Sequence, residues 1–266
     1  EGKNRASLSN QSDFSWTLDN LIYYDKEFGK HSVGLTLLQS ATGYHYEESS
    51  MAAEGIPLES AKWNALSKEN VSLLDEWNSG LIEKQLLSYM FRVNYDYNNK
   101  YLLTVSGRWD GASQLAEGNK WAFFPSAALG WRLDQEEFLK DVTWLNQLKF
   151  RLGVGVTGNS AIDPYQTKGA IVSLYYPFGS ALAPGYAASE PLIKDGAVAM
   201  ANKNLSWEKT TQYNIGLDYS VLNGRISGVL DFYTSRTTDL LMAMTIPSLN
   251  GYTNTYANVG KTSNIG

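Results

Sequence analysis

Apolar and polar residues alternate with a period of two along unusually long stretches of this chain. One face of the run 211–221 carries Tyr213, Ile215, Leu217, Tyr219 and Val221. The intervening positions are polar residues or glycine, and the runs 87–97, 101–110 and 148–157 repeat the same alternation. This period is typical of β-strands that have one apolar and one polar face.

The alternation predicts about nine antiparallel strands. Their approximate spans are 12–24, 31–43, 82–97, 100–110, 120–133, 148–157, 207–221, 225–238 and 257–266. Many of them reach ten residues or more, whereas a strand of a globular protein averages about five or six. A strand that crosses a membrane needs about 9–11 residues. The strand lengths therefore favour an all-β, membrane-spanning architecture.

The connections between these strands fall into two alternating sets. The short set lies around 25–30, 98–99, 134–146 and 222–224, and the long set comprises 44–80, 111–119, 158–206 and 239–256. Asn98–Asn99 and Asn223–Gly224 suit tight turns because these residue types tolerate positive φ. The stretch 134–141 could form one or two helical turns. Short turns at one end and long loops at the other are typical of an outer-membrane β-barrel.

Aromatic residues gather near the predicted strand ends. Trp109 and Trp121 lie at one end, whereas the other end carries Tyr95, Tyr97, Tyr101, Trp131 and Tyr219. Amphipathic rings favour the headgroup level of a bilayer, so this arrangement resembles two interfacial girdles. A soluble β-sandwich also alternates apolar and polar positions, and the pattern alone leaves that alternative open.

In a barrel the polar face of each strand lines the lumen. The candidate lumen-facing charges are Arg92, Asp96, Arg108, Asp110, Arg132, Lys149, Arg151, Asp218 and Asp231. A dry core could not hold so many charges without pairing them, so this face is expected to contact water or a polar plug.

Composition excludes several classes of function. The chain has 266 residues, no cysteine and a formal net charge of -5. The acidic balance argues against a nucleic-acid partner, which needs a basic surface. The absence of cysteine removes disulfides, thiolate metal sites and cysteine nucleophiles. Charged residues make up only 18% of the chain, below the roughly 25% of ordinary soluble domains.

Enzyme-like motifs are weak in this sequence. The run from Gly153 to Gly158 matches G-x-G-x-x-G, but a loop-like segment follows it where a dinucleotide site needs a helix. His31 and His45 are interpreted as solvated residues, and Glu136 and Glu137 as a solvated face. We therefore predict that the protein is not an enzyme, and name no catalytic residue, metal ligand or cofactor.

The first long connection contains candidate ligand-binding residues. Trp63 and Trp77 could stack on sugar rings, and Asp75 could hydrogen-bond to them. The same side chains could equally pack this loop against itself or against a partner.

The strand count also bears on completeness. Bacterial single-chain barrels have an even number of strands, and an unpaired strand edge is untenable in lipid. Nine strands therefore predict a fragment of a larger barrel.

Several consecutive segments resemble the barrel of the SusC/RagA family of TonB-dependent transporters. They are 108–114 (RWDGASQ), 120–132 (KWAFFPSAALGWR), 148–159 (LKFRLGVGVTGN), 204–218 (NLSWEKTTQYNIGLD), 222–233 (LNGRISGVLDFY) and 258–266 (NVGKTSNIG). The matching segments occur in the same order as in the family from about Leu86 to Gly266, and the region before them is compatible.

The resemblance implies a 22-stranded barrel filled by a plug, in the outer membrane of a Gram-negative bacterium. It implies import of oligosaccharides or peptides, a SusD-like lipoprotein partner, and energy supplied by TonB with ExbB and ExbD. Residues 1–266 would be a partial barrel domain, without a plug domain and its TonB-coupling segment. The alternatives are a passive porin-like barrel and a soluble carbohydrate-binding β-sandwich.

Overall fold

The computed structural model describes residues 4–56, 59–66, 73–168, 172–178, 181–187, 199–247, 249, 252 and 254–266. Contacts between residues divide the chain into two units. The first consists of Glu1–Leu18 and Thr42–Gln85, and the second consists of Asp19–Ala41 and Leu86–Gly266. Among the described residues, no helix is long and apolar enough to cross a membrane.

The described chain contains fourteen strands. They are β1 Arg5–Phe28, β2 His31–Glu54, β3 Leu73–Tyr97, β4 Tyr101–Ala112, β5 Trp121–Arg132, β6 Leu145–Asn159, β7 Val172–Phe178, β8 Ala181–Ala187, β9 Ala199–Met200, β10 Glu208–Val221, β11 Ile226–Thr238, β12 Leu241–Thr245, β13 Asn254–Asn258 and β14 Lys261–Ile265. Nine of them form the main sheet, in the order β1-β2-β3-β4-β5-β6-β10-β11-β14. This confirms an all-β fold with a nine-stranded antiparallel sheet that does not close into a barrel by itself.

The first three strands are much longer than predicted. β1 and β2 have 24 residues each and β3 has 25, so the predicted loop 44–80 was wrong except for its middle part. Twenty-four residues are more than twice the 9–11 that cross a bilayer. The added segments do not alternate regularly between apolar and polar residues, so they lack the periodicity by which the prediction recognised a strand.

Three other predicted segments also differ from the structure. The predicted loop 239–256 contains β12 and the start of β13, which pair with each other in a separate sheet. The predicted strand 257–266 is divided, since β13 ends at Asn258 and β14 begins at Lys261. The predicted loop 158–206 likewise contains the hairpin of β7 and β8. The stretch 134–141 contains two short 3-10 turns, Leu133–Gln135 and Glu137–Leu139.

The tight turns occur where the sequence predicted them and define one edge of the sheet, which we call the turn edge. Asn98, Asn99 and Asn223 all have positive φ. Backbone hydrogen bonds also connect neighbouring turns. In one of them, the Asn98 amide donates to the Lys30 carbonyl at 2.6 Å. Equivalent bonds run from Arg132 to Lys100 and from Leu222 to Trp144, both 2.8 Å long. The opposite edge, with the longer connections, is the loop edge.

The strand register shows that the strands are tilted. The row that contains Tyr97 and Tyr101, the last pair before one tight turn, continues through Trp131 and Phe150 to Leu217. Leu217 lies four residues before Val221, where the β10–β11 turn begins. Four residues of about 3.3 Å over four strand spacings of about 4.8 Å give a tilt of about 35° if the turns are level. Barrel strands in membranes tilt by about 35–45°.

A small buried cluster lies at the loop edge of the second unit. Its members are Ala112, Leu115, Phe124 and Trp207. The Trp207 indole N–H donates to the Lys120 carbonyl at 2.8 Å, and the Ala116 amide donates to the Leu205 carbonyl at 3.1 Å. These contacts hold the segments 112–120 and 204–207 against the end of the sheet.

Candidate functional site

The two faces of the main sheet differ sharply in the second unit. The apolar face carries large exposed side chains, among them Tyr101, Val105, Trp109, Phe123, Leu129, Trp131, Leu152, Val154, Tyr213, Ile215, Leu230 and Phe232. So large an apolar surface is typical of contact with lipid or another protein. The polar face carries most of the charges, together with serine, threonine, asparagine and glycine. All nine predicted lumen-facing charges fall on strands of this sheet.

A three-residue ion network crosses β6, β10 and β11 on the polar face. The Arg151 guanidinium donates to the Asp218 carboxylate at 3.0 Å through Nε and to the Asp231 carboxylate at 3.0 Å through Nη2. Gly216 lies in the same row, paired with Arg151 on one side and Asp231 on the other. A Cβ on Gly216 would come within 2.7 Å of both side chains, so the missing side chain leaves room for the network.

Two further arginines pair with acidic residues along their own chain segment. Arg108 Nε donates to Asp110 at 2.7 Å, and its Nη2 donates to the buried Ser88 hydroxyl at 3.0 Å. Arg132 donates to Asp134 at 2.9 Å at the turn edge. These contacts neutralise charge on the polar face without occluding it.

The remaining predicted lumen-facing residues are not joined to these networks. Asp96 accepts the Asn99 amide at 2.7 Å and so caps a tight turn. Arg92 and Lys149 form no ion pair among the described residues. Whether all nine charges face a lumen stays a prediction.

The first unit contains a polar cleft of about 510 Å³. It is lined by Asn10, Gln11, Ser12, Glu47, Glu48, Ser49, Ser79, Gly80 and Leu81. Seven of these nine residues carry an amide, hydroxyl or carboxylate group that can hydrogen-bond to a polar ligand. Gly80 lies opposite Glu48, and a Cβ there would approach the Glu48 side chain to 3.0 Å. Sequence reasoning missed this cleft because it treated most of these residues as loop.

His45 lies on β2 between two carboxylates, so its placement in a loop was wrong; its side chain is 41% exposed, in keeping with its interpretation as a solvated residue. Its Nδ1 lies 3.0 Å from Glu83 and its Nε2 lies 3.1 Å from Glu47. The hydrogen bonds to Glu83 and then to Glu47 raise the pKa of His45 above its ordinary value, because both favour the protonated ring. This segment lies in the first unit, beyond the length of strand that a bilayer requires.

The predicted ligand residues of the first long connection are only partly described. Trp63 lies on the short 3-10 segment Glu59–Ala65 with 48% of its surface exposed, and the Lys62 ammonium lies 5.5 Å from its ring. Asp75 and Trp77 belong to β3, but their side chains lie outside the described residues. Their role in ligand binding stays a prediction.

Aromatic rings form a continuous row at the turn edge. Phe28, His31, Tyr97, Tyr101 and Trp131 come from five consecutive strands, with successive ring centroids 5.3, 4.9, 6.3 and 6.4 Å apart. At the loop edge Tyr89 stacks on Trp121, and Trp109 packs against Phe123. Aromatic rings therefore border the apolar face at both edges, as girdles do at the two interfaces of a bilayer.

Glu136 joins the row of rings to the β5–β6 turn. Its carboxylate accepts hydrogen bonds from Lys100 at 2.9 Å, Tyr101 at 2.7 Å and Trp131 at 2.9 Å. The Lys100 ammonium, followed by the two ring donors, lowers the pKa of Glu136 to about 2. The interpretation of Glu136 as part of a solvated face was wrong, because its side chain is only 14% exposed; Glu137, at 89%, does face solvent.

Comparison with known proteins identifies this architecture. The family model for TonB-dependent receptor-like β-barrels matches residues 2–266, so the chain belongs to that family. TonB-dependent receptor SusC of Bacteroides thetaiotaomicron is 41% identical over 214 residues, which cover 77% of this chain and 19% of SusC. TonB-dependent receptor P26 of Formosa agariphila is 34% identical over 270 residues, covering 100% of this chain and 26% of that receptor.

A solved structure of the RagAB peptide transporter has the same fold as this chain. The two match with a TM-score of 0.84 over 98% of this chain and 28% of that chain, at 24% identity. The resemblance to SusC/RagA proteins is thereby confirmed. The chain spans about a fifth to just over a quarter of the length of these relatives, and its main sheet is a section of the β-barrel of a TonB-dependent receptor.

Proposed function

We propose that the protein to which this chain belongs imports oligosaccharides or peptides across the outer membrane of a Gram-negative bacterium. The observation that carries this proposal is the family match over residues 2–266, together with 41% identity to SusC. Energy would come from TonB with ExbB and ExbD, and a SusD-like lipoprotein would cover the extracellular side. The mechanism would involve no catalysis by this chain.

The polar face would line the lumen in this mechanism. The network of Arg151, Asp218 and Asp231 and the Arg108–Asp110 pair would present fixed, mostly neutralised charge to a plug and to passing cargo. Paired charges hold less hydration and attract ions of one sign less strongly than isolated charges. Such a wall suits cargo of varied charge, and it would leave selection to the loops and the lipoprotein.

The polar cleft of the first unit is the candidate ligand contact of this chain. Its volume of about 510 Å³ falls within the range of small-molecule sites, about 300–1,000 Å³. Carboxylates such as Glu48 accept hydrogen bonds from sugar hydroxyls or from the ammonium groups of a peptide. Both cargo classes therefore remain in the proposal, and the transport experiment distinguishes them.

Uptake in cells tests the proposal directly. The full-length protein is expressed with its neighbouring lipoprotein in a strain that lacks it, and uptake of a labelled oligosaccharide mixture and a labelled peptide mixture is followed. We expect one class to accumulate, and a protonophore or deletion of tonB to abolish accumulation. Uptake that persists without proton-motive force would replace this proposal with a passive porin. Absence of uptake of either class would overturn the proposed cargo.

Location is tested separately from cargo. Membrane fractions are compared on a gel with and without boiling, using an antibody to the full-length protein. A folded outer-membrane barrel is expected in the outer-membrane fraction and migrates differently when unboiled. A band confined to the soluble fraction and unaffected by boiling would contradict the outer-membrane location.

A further inference from the structure

The β5–β6 connection, residues 133–144, carries two large apolar side chains that neither strand packing nor the polar face uses. Phe138 lies on the 3-10 turn Glu137–Leu139 and is 68% exposed, and Trp144, just before β6, is 57% exposed. Isolated exposed apolar residues are ordinary on protein surfaces and need no explanation. What distinguishes this connection is that hydrogen bonds hold it beside the apolar face of the sheet.

Glu136 accepts these hydrogen bonds. Its carboxylate binds the Tyr101 hydroxyl and the Trp131 indole, and both rings belong to the apolar face. The backbone adds a bond from the Arg132 amide to the Lys100 carbonyl at 2.8 Å. Glu136 is therefore held beside two rings of the apolar face, and Phe138 lies only two residues further along the chain.

We propose that this connection is an interfacial anchor, with Phe138 inserted among the phospholipids of the inner leaflet of the outer membrane. The proposed contact is continuous with the lipid-facing wall, because Glu136 ties it to the row of rings from Phe28 to Trp131. The Lys140 side chain is 62% exposed and its ammonium lies 3.6 Å from the Glu137 carboxylate; in the proposed anchor it would also be within reach of lipid phosphates. Aromatic and lysine side chains together are typical of anchors at a membrane interface.

The anchor has a consequence for the strand tilt. The β10–β11 turn extends four residues, about 13 Å, beyond the row of rings, whereas the β3–β4 turn ends directly at it. With the turns level, as the tilt of about 35° assumes, the anchor would hold the turn edge rather than the register row at the headgroup level, and so keep this side of the wall at a constant depth. The inference rests on the membrane-spanning fold and does not depend on which cargo the protein imports.

Site-directed spin labelling of the full-length protein in phospholipid nanodiscs tests the anchor. Single labelled cysteines replace Phe138, Asn223 in the β10–β11 turn, and Leu129 on the apolar face, in a background without other cysteines. Collision with oxygen, which concentrates in lipid, is compared with collision with a water-soluble nickel chelate. We expect oxygen to dominate at Phe138→Cys and Leu129→Cys, and the nickel chelate to dominate at Asn223→Cys.

Two other outcomes would overturn the proposed anchor. If Phe138→Cys collides with the nickel chelate as often as Asn223→Cys while Leu129→Cys stays protected, the connection lies in the periplasm and the anchor is overturned. If Leu129→Cys is also reached by the nickel chelate, the lipid-facing wall itself is wrong and the anchor fails with it. A Glu136→Gln background adds a second readout, since loss of the tether should reduce the oxygen preference at position 138 and leave position 129 unchanged.

Discussion

Gly158 is a residue whose identity is set by one neighbouring ring. A Cβ at this position would overlap the ring of Phe124, which packs edge-on against Trp207 at 5.3 Å between centroids. We expect Gly158→Ala to displace Phe124 from the buried cluster and to destabilise the protein by about 1–3 kcal/mol, the usual cost of overpacking. The measurement is the temperature at which the folded, unboiled band is lost on a gel.

Gly153→Ala is the matched control for Gly158→Ala. Gly153 lies on the same strand, and its nearest foreign atom, the Asn214 Cβ, would lie 4.0 Å from an added Cβ, an ordinary contact. Both variants lose the same backbone freedom in the unfolded state, so their difference isolates the clash with Phe124. Equal melting temperatures for the two variants would refute the overlap.

Glu136 shows a residue contact that sequence reasoning could not find. Tyr101 lies 35 positions away along the chain, and only the strand register brings its hydroxyl to the carboxylate. The adjacent pair Glu136 and Glu137 therefore looked alike in sequence, although Glu136 accepts three hydrogen bonds and Glu137 is 89% exposed with the Lys140 ammonium 3.6 Å away. By contrast, Asn98 and Asn223 were predicted correctly as turn residues, because positive φ depends on the residue type itself.

The contacts of Glu136 predict an acid-dependent stability. The folded pKa of about 2 lies below the ordinary carboxyl value, so the stabilisation is complete above that ordinary value. It is lost as the pH falls through about 2, where Glu136 takes up a proton. We expect Glu136→Gln to lower the melting temperature by a few degrees at pH 7 and by less near pH 2, whereas Glu137→Gln should change little at either pH. A deficit that does not depend on pH would contradict this assignment.

At the scale of the elements, the membrane-crossing strands were the most predictable part of the fold. β4, β5, β10 and β11 agree with the predicted spans within two residues at each end, because one face of each strand must be apolar to meet lipid. The added lengths of β1, β2 and β3 were missed because their residues do not alternate regularly between apolar and polar. Strand pairing across the loops, as between β9 and β13, leaves even less trace in the sequence.

The long β2–β3 pair is expected to weaken at alkaline pH. His45 and Glu83 lie on opposite strands, and the raised pKa of His45 means that their interaction stabilises the pair fully below the ordinary histidine value. This stabilisation is lost as the pH rises through the folded pKa. We expect His45→Gln to accelerate proteolysis of residues 42–54 about two- to five-fold at pH 6, a small effect because the pair is exposed to solvent, and hardly at pH 9.

Dividing the cleavage rate of the variant by that of the unmodified protein at the same pH cancels the pH dependence of the protease itself. Glu83→Gln supplies an independent test, since it removes the first partner of His45 while leaving the ring in place. A ratio that is the same at pH 6 and pH 9 for both variants would show that the contact does not stabilise the strand pair.

The formal charge of the whole chain is unevenly divided between its two units. Residues 1–18 and 42–85 contain ten acidic and five basic residues, and residues 19–41 and 86–266 contain seventeen of each. The entire net charge of -5 therefore belongs to the first unit. A charged surface attracts ligands of opposite sign over about a Debye length, roughly 10 Å at 0.1 M salt and 3 Å at 1 M.

This asymmetry predicts that the first unit accelerates the binding of cationic cargo. We expect Asp13→Asn combined with Glu47→Gln to slow the association of a lysine-rich peptide with the full-length protein about two- to ten-fold at low salt. Glu117→Gln with Asp163→Asn removes the same charge from the balanced unit and should have a smaller effect. Association is measured by stopped-flow fluorescence. A glutamate-rich peptide of equal length should associate faster with the Asp13→Asn, Glu47→Gln variant than with the unmodified protein. In 1 M salt the differences for both peptides should disappear. Equal effects of the two double variants would mean that net charge of the whole protein, rather than its concentration in the first unit, governs association.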